Sequence, residues 1–288
     1  MIIKIEAQEL YVSSEPASNM PAHSLGFRLS GQWMPQNYFG LPSIYRLSPE
    51  LMVGISKKSM IHVAMYGSNY YRFYQNQPNF NIEGASIYYK YRFLSLDQDH
   101  HHFRMAAFGK LAYSNNPTVY QEINLAGDNS GAMVGIVGTE LLRKLALSAT
   151  FSYTQSLANA LKLPEIILFP NKSDGYPAIA GNKDPNYEVL PALANSAYNY
   201  SLSAGYLTYP KKYKDYKTTN LNLYLEFLGQ FQPQLQVGYI DIAPAVQLIF
   251  NSFIRLEMAY RKQLNGNMFR VDNESLNLKL EVNFFGVW

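Results

Sequence analysis

The last fourteen residues, Ser275 to Trp288, constrain the fold more than any other part of the chain. Leu276, Leu278, Leu280, Val282 and Phe284 alternate with Asn277, Lys279, Glu281 and Asn283. Successive side chains of a strand point to opposite faces, so this segment reads as a strand with one apolar and one polar face. Nothing in the period of 3.6 that a helix needs is present here. A sandwich could contain such a strand and a closed barrel needs one, so its neighbours elsewhere in the chain decide between the two.

Those neighbours are easily found. Ile87, Tyr89, Tyr91 and Phe93 alternate with Tyr88, Lys90 and Arg92. Leu221, Leu223, Leu225 and Phe227 alternate with Asn222, Tyr224 and Glu226, and Ile254, Leu256, Met258 and Tyr260 with Arg255, Glu257 and Arg261. Reading the whole chain this way predicts about twelve strands, over 24–34, 48–56, 60–67, 85–96, 102–113, 131–140, 144–154, 196–208, 218–228, 237–250, 253–262 and 275–287. Pro244 falls inside the tenth and predicts a bulge or a local break, because proline cannot donate to the ladder.

The connections between these strands alternate in length. Segments 35–47, 68–84, 114–130, 155–195 and 263–274 are long and 209–217 and 229–236 moderate, whereas 57–59, 97–101, 141–143 and 251–252 are tight. A sandwich gives no reason for that alternation. A closed transmembrane barrel does, with short turns on the periplasmic side, longer loops outside and an even strand number. The expected fold is therefore all-β: one closed antiparallel barrel of about twelve strands over residues 23–288, preceded by an N-terminal segment, 1–22. Met1 to Ala7 is too short and too charged for a full signal peptide, yet Glu6-Ala7 resembles the tail of a cleavage site, so 1–22 is expected to be a residual signal or periplasmic stretch.

Composition agrees. Charged residues are 16% of the chain, against roughly 25% in typical soluble domains. Tyr and Phe number 24 and 16; both are good strand formers, and tyrosine also suits a membrane–water interface. The absence of cysteine excludes disulfides, zinc-thiolate sites and iron–sulfur clusters. A net charge of +3 gives no argument for a nucleic-acid partner.

The amphipathic terminal strand, the Tyr-rich strands and the segments Gly238 to Gln247 and Arg255 to Tyr260 resemble outer-membrane barrel proteins of Bacteroidota-type Gram-negative bacteria. They are similar, more loosely, to transporter-like barrels grouped with aromatic-degradation gene clusters. The resemblance implies a bacterial outer-membrane location, with membrane lipid as the surrounding partner.

If the apolar faces meet lipid, the inward residues include Arg28, Lys90, Arg92, Arg104, Lys110, Arg255, Arg261 and Lys279, with Glu140, Glu226, Glu257 and Glu281. A basic lumen of this kind favours anionic solutes; the same residues would equally fill a non-conducting barrel with ion pairs. Asp97 to His102 offers three imidazoles and two carboxylates, but adjacent histidines on a strand point to opposite faces and seldom converge on a metal. His62 is expected to face the lumen near the periplasmic end, and no serine or aspartate partner for it is evident in the sequence. No nucleotide, phosphate or cofactor fingerprint is present, and no catalytic set is assigned. The loop 170–191 is rich in turn residues and, with the aromatics of 69–74, is expected to be exposed for ligand or partner contact. Three functions follow as alternatives: passage of small, anionic solutes, a non-conducting scaffold with an envelope protein partner, or a lipid-modifying barrel enzyme.

Overall fold

The computed structural model of the chain describes residues 14–35, 43–70, 80–116, 118, 120–157, 193–210 and 218–288. Twelve strands appear in the expected order: β1 (Ser24–Met34), β2 (Ile44–Gly54), β3 (Ser59–Ser68), β4 (Asn81–Gln98), β5 (His101–Ser114), β6 (Gly131–Leu142), β7 (Leu145–Ser156), β8 (Ser196–Tyr209), β9 (Asn220–Gln232), β10 (Val237–Phe250), β11 (Ile254–Gly266) and β12 (Glu274–Phe285). Each pairs antiparallel with its sequence neighbours, and β12 closes the ring on β1. At that seam Leu29 faces Leu280 and Arg28 faces Glu281, so the apolar and polar sides of the two strands match.

The outer face is apolar all the way round. Leu278 is 47% exposed and Leu280 44%, while Glu281 between the same faces is 4% exposed. Tyr89, Leu223 and Leu256 also point outward, and Arg28, Lys90 and Glu226 inward. A closed barrel leaves no unpaired backbone edge, which is what a lipid environment demands. The chain is thus an outer-membrane β-barrel in architecture, with its lipid contact made by the alternate residues of every strand.

The tight turns explain their own sequences. Asn251 and Ser252 between β10 and β11 both have positive φ, 51° and 60°, as a two-residue type I′ hairpin requires. His100 and Arg143 hold the same left-handed region in the β4–β5 and β6–β7 turns. These turns lie at the end of the barrel that carries both strand termini.

Three expectations are adjusted. The second strand begins at Ile44, earlier than its alternation suggests, which brings Arg46 inside the barrel. Pro244 faces outward and pairs in register with Leu225 of β9, while the ladder to β11 lapses at residues 243–244. The bulge itself sits between Ile240 and Asp241. Tyr70, expected among exposed aromatics, is only 3% exposed and packs with Met34, Ile44 and Val271 inside the extracellular end. Residues 71–74 and 158–192 lie outside the described residues, and the 170–191 loop with them.

Residues 14–22 do not trail away from the barrel. They enter the lumen from the periplasmic end and make part of its core. Met20 packs on Met52 and Met60, and Ala17 on Ala106 and Val137. At the other end, the loop between β5 and β6 folds inward, and its Ile123 and Leu125 pack on Ala197.

Candidate functional site

The site is the lumen, a cavity of about 480 Å³ between these two inserted segments. Its floor is made by Ser14 and Glu15, and its roof by Glu122 to Ala126.

The floor is held by charges on the strand walls. Glu15 accepts from Arg28 at 3.1 Å and from Lys90 at 3.1 Å. Lys90 Nζ also donates to the Pro16 carbonyl at 2.8 Å. The backbone N–H of Ser14 donates to Glu226 at 2.9 Å, and that of Ala17 to Thr139 Oγ1 at 2.9 Å. Arg104 Nη1 donates to Ser18 Oγ at 3.2 Å. His62 lies between carboxylates, its Nδ1 2.7 Å from Glu50 and 3.7 Å from Glu15, with its ring tilted over Tyr88. The inserted backbone therefore finds its hydrogen-bond partners in wall side chains, which is how a non-helical segment is tolerated inside a barrel.

The roof is held differently. Gln230 of β9 donates to the Ile123 carbonyl and accepts from its N–H, both at 2.9 Å, so one amide side chain stands in for a strand partner. Arg46 pairs with Asp128 of the loop and, at 3.0 Å, with Glu83. Arg270, in the connection between β11 and β12, reaches Glu122 at 3.1 Å and Asp241 at 2.8 Å. Its guanidinium lies 3.6 Å from the Tyr239 ring centroid, a stacked cation–π contact. Arg261 adds an ion pair to Asp241 at 2.6 Å.

Charge balance in this cluster depends on which carboxyls ionise. Burial pushes the Glu122 carboxyl up, but Arg270 and Arg261 outweigh it and hold Glu122 below the ordinary carboxylate range. Asp272 behaves in the opposite way. Burial, with the Glu122 charge adding to it, pushes its carboxyl up to about 7, and its Oδ2 has no hydrogen-bond partner among the described residues.

The inward residues expected from alternation occupy the lumen, and most are matched to acids or carbonyls. Arg28 and Arg255 share Glu281, at 2.8 Å each. Arg92 donates to the Lys57 carbonyl at 2.7 Å, which ties it to the periplasmic turn. Glu257 accepts from Gln247 and faces Lys279 across the β11–β12 ladder. Glu226 serves the inserted segment through Ser14, and Ser203 lies beside it. Glu140 sits at the periplasmic rim with His101 at 2.8 Å, whereas His102 turns to Asp97 at 2.7 Å, so the histidine run splits between two acids. Lys110 differs from the others. Its Nζ lies 5.5 Å above the Tyr66 ring, and it has no carboxylate partner among the described residues.

The acids that complete these pairs were not evident from alternation alone. Asp241 was readable, since it shares the inward parity of Tyr239 and Ala243. Glu15, Glu122 and Asp128 were not, because they lie outside strands and carry no period.

No known family model matches the chain, and no curated protein matches it in sequence. Among solved structures, it is similar to an outer membrane channel from Pseudomonas putida F1, at 9% identity and a TM-score of 0.54, covering 95% of this chain and 100% of that one. The NanC porin follows at 10% identity and a TM-score of 0.45, covering 90% and 98%. Outer membrane phospholipase A from Escherichia coli matches at 8% identity and a TM-score of 0.43, covering 91% of each chain. At these identities the likeness is one of fold: bacterial outer-membrane barrels.

Proposed function

We propose that the chain is a porin-like outer-membrane channel for small, preferentially anionic solutes, closed in this conformation by residues 14–21. The observation that carries this reading is the central cavity, bounded at its periplasmic end by a chain segment rather than by the barrel wall. A wall filled solid with side chains would leave no such space. The inserted segment is held by side-chain contacts and breaks no strand pairing when it leaves.

Conductance of the full chain in planar lipid bilayers tests this. The expected result is a low basal conductance with brief openings, and more frequent openings when Glu15 is replaced with Gln. Absence of conductance in the wild type, in Glu15→Gln and in a chain shortened by residues 1–20 would overturn the channel reading. That outcome would instead favour the scaffold with an envelope partner, a reading supported by how fully the lumen charges are matched. An anion preference rests on the excess of inward Arg and Lys, and reversal-potential measurements in a salt gradient read it directly. A Bacteroidota-type origin rests on the sequence resemblance alone. A lipid-modifying activity has less support, because the contacts of His62 are with the Glu50 and Glu15 carboxylates and the Tyr88 ring.

A further inference from the structure

We propose that the cavity is a binding site for a small hydroxylated monocarboxylate, with the size and chemistry of a single sugar acid. The proposal deepens the channel reading and rests on it, since it names what the lumen would take up.

The cavity volume of about 480 Å³ falls within the range of small-molecule sites, roughly 300–1,000 Å³. Its lining is divided. One arc, on β3 to β5, carries Tyr66, Tyr88 and Phe108, with the Tyr88 and Phe108 rings 5.6 Å apart. Flat, polarisable surfaces of this kind suit the C–H face of a sugar ring. Another arc, on β7 and β8, carries Thr150, Ser152 and Ser201, which are neutral and hydroxylated. Thr150 Oγ1 is buried without a hydrogen-bond partner among the described residues. A buried hydroxyl in that state costs free energy until something bonds to it.

Charge narrows the class further. Arg28 and Arg255 are consumed by Glu281, and Arg46 by Glu83 and Asp128. Lys110 lines the same cavity, lies over Tyr66 and has no acid among the described residues. One unmatched cation suits one carboxylate. An apolar aromatic acid would satisfy Lys110 and the rings but leave Thr150 unbonded. A neutral sugar would do the reverse. Only a molecule with a carboxylate, hydroxyls and an apolar ring face answers all three features.

The test is isothermal titration calorimetry of the folded full chain in detergent at neutral pH, with glucuronate, glucose and benzoate as probes. Glucuronate is expected to bind, and to bind more tightly than either of the others. Lys110→Met should weaken glucuronate by at least about tenfold, equivalent to ~1.4 kcal/mol, and Lys110→Arg should retain most of the affinity. Thr150→Val should weaken glucuronate and leave benzoate unchanged. The proposal is overturned if glucuronate gives no heat, if benzoate binds as tightly as glucuronate, or if Lys110→Met binds like the wild type. Heat-dependent gel mobility confirms that each variant is folded, and Lys110→Gln replaces Lys110→Met if the latter is not. Conductance of Glu15→Gln in the same preparation separates the two readings. An open channel without glucuronate binding sinks the ligand alone, whereas binding in a protein that never conducts sinks the channel alone.

Discussion

Toward its two ends the lumen is lined by segments held by different physics. The periplasmic floor is a chain segment that enters once, and the wall grips it through Glu15, Ser14, Ala17 and Ser18. The extracellular roof is a loop anchored at both ends, in β5 and β6, and its polar contacts join three further parts of the molecule: Arg46 on β2, Gln230 on β9 and Arg270 between β11 and β12. Among the described residues, the floor is held by side-chain contacts and apolar packing, with no strand pairing. Lifting the roof means breaking contacts that also brace neighbouring loops. On the proposed channel reading, the floor is the gate and the roof a fixed constriction.

The largest expected effect tests the frame that both segments share. Replacing Leu280 with Arg at the lipid face should destabilise the inserted barrel by roughly 2–4 kcal/mol if it lies near the bilayer midplane. Lys279→Arg, on the lumen face of the same strand, should be far milder. Heat-dependent gel mobility after folding into lipid compares them, and equal behaviour would mean that the faces are wrongly assigned and that floor and roof lie on no common lumen.

Removal of residues 1–20 comes next. Open probability in planar bilayers should rise by at least about tenfold, because the opposing free energy of several buried contacts, each worth ~1 kcal/mol, is removed. Glu15→Gln should give a smaller rise in the same direction, since Ser14 and Ala17 still hold the segment. If Arg270→Ala opens the channel more than either change, gating belongs to the roof and the comparison is inverted.

The smallest effect is one of pH. The Asp272 carboxyl titrates near 7 in the folded protein, against about 3.8 when exposed. A raised carboxyl binds its proton more tightly in the folded state, so its contribution to stability is complete below about pH 4 and is lost as pH rises through about 7. Glu122, held low by Arg270 and Arg261, contributes with the opposite sign, above the ordinary carboxylate range, and loses that contribution only in acid. Between pH 5 and 8 Glu122 adds no opposing trend, and comparing Asp272→Asn with the wild type separates the Asp272 trend from that of the histidines, whose ordinary range lies in the same window. The temperature of the gel-mobility transition is expected to fall modestly across that window, and Asp272→Asn should flatten the fall. An unchanged slope in Asp272→Asn would remove Asp272 as its source.

How much of this was legible in the sequence differs between wall and contents. All twelve strands, their faces and the β1–β12 closure follow from period-2 alternation, because a barrel repeats one local rule along every strand. The inward set from Arg28 to Glu281 follows from the same parity, and so does Asp241. Arg46 escaped because β2 was begun four residues late. The acids of the floor and roof escaped for a deeper reason: Glu15, Glu122 and Asp128 lie in irregular segments, where no period links position to direction.

The sequence by itself determined the barrel, since alternation and loop length are local properties that lipid and backbone pairing convert into one closed sheet. Only the tertiary structure decided that irregular segments line the lumen toward both of its ends, and that Lys110 alone among its assigned lysines and arginines lacks an acid or carbonyl partner among the described residues. Which charges meet inside a barrel depends on the stagger between strands and on where irregular segments insert, and those are contacts between residues as far apart as Ser14 and Glu226.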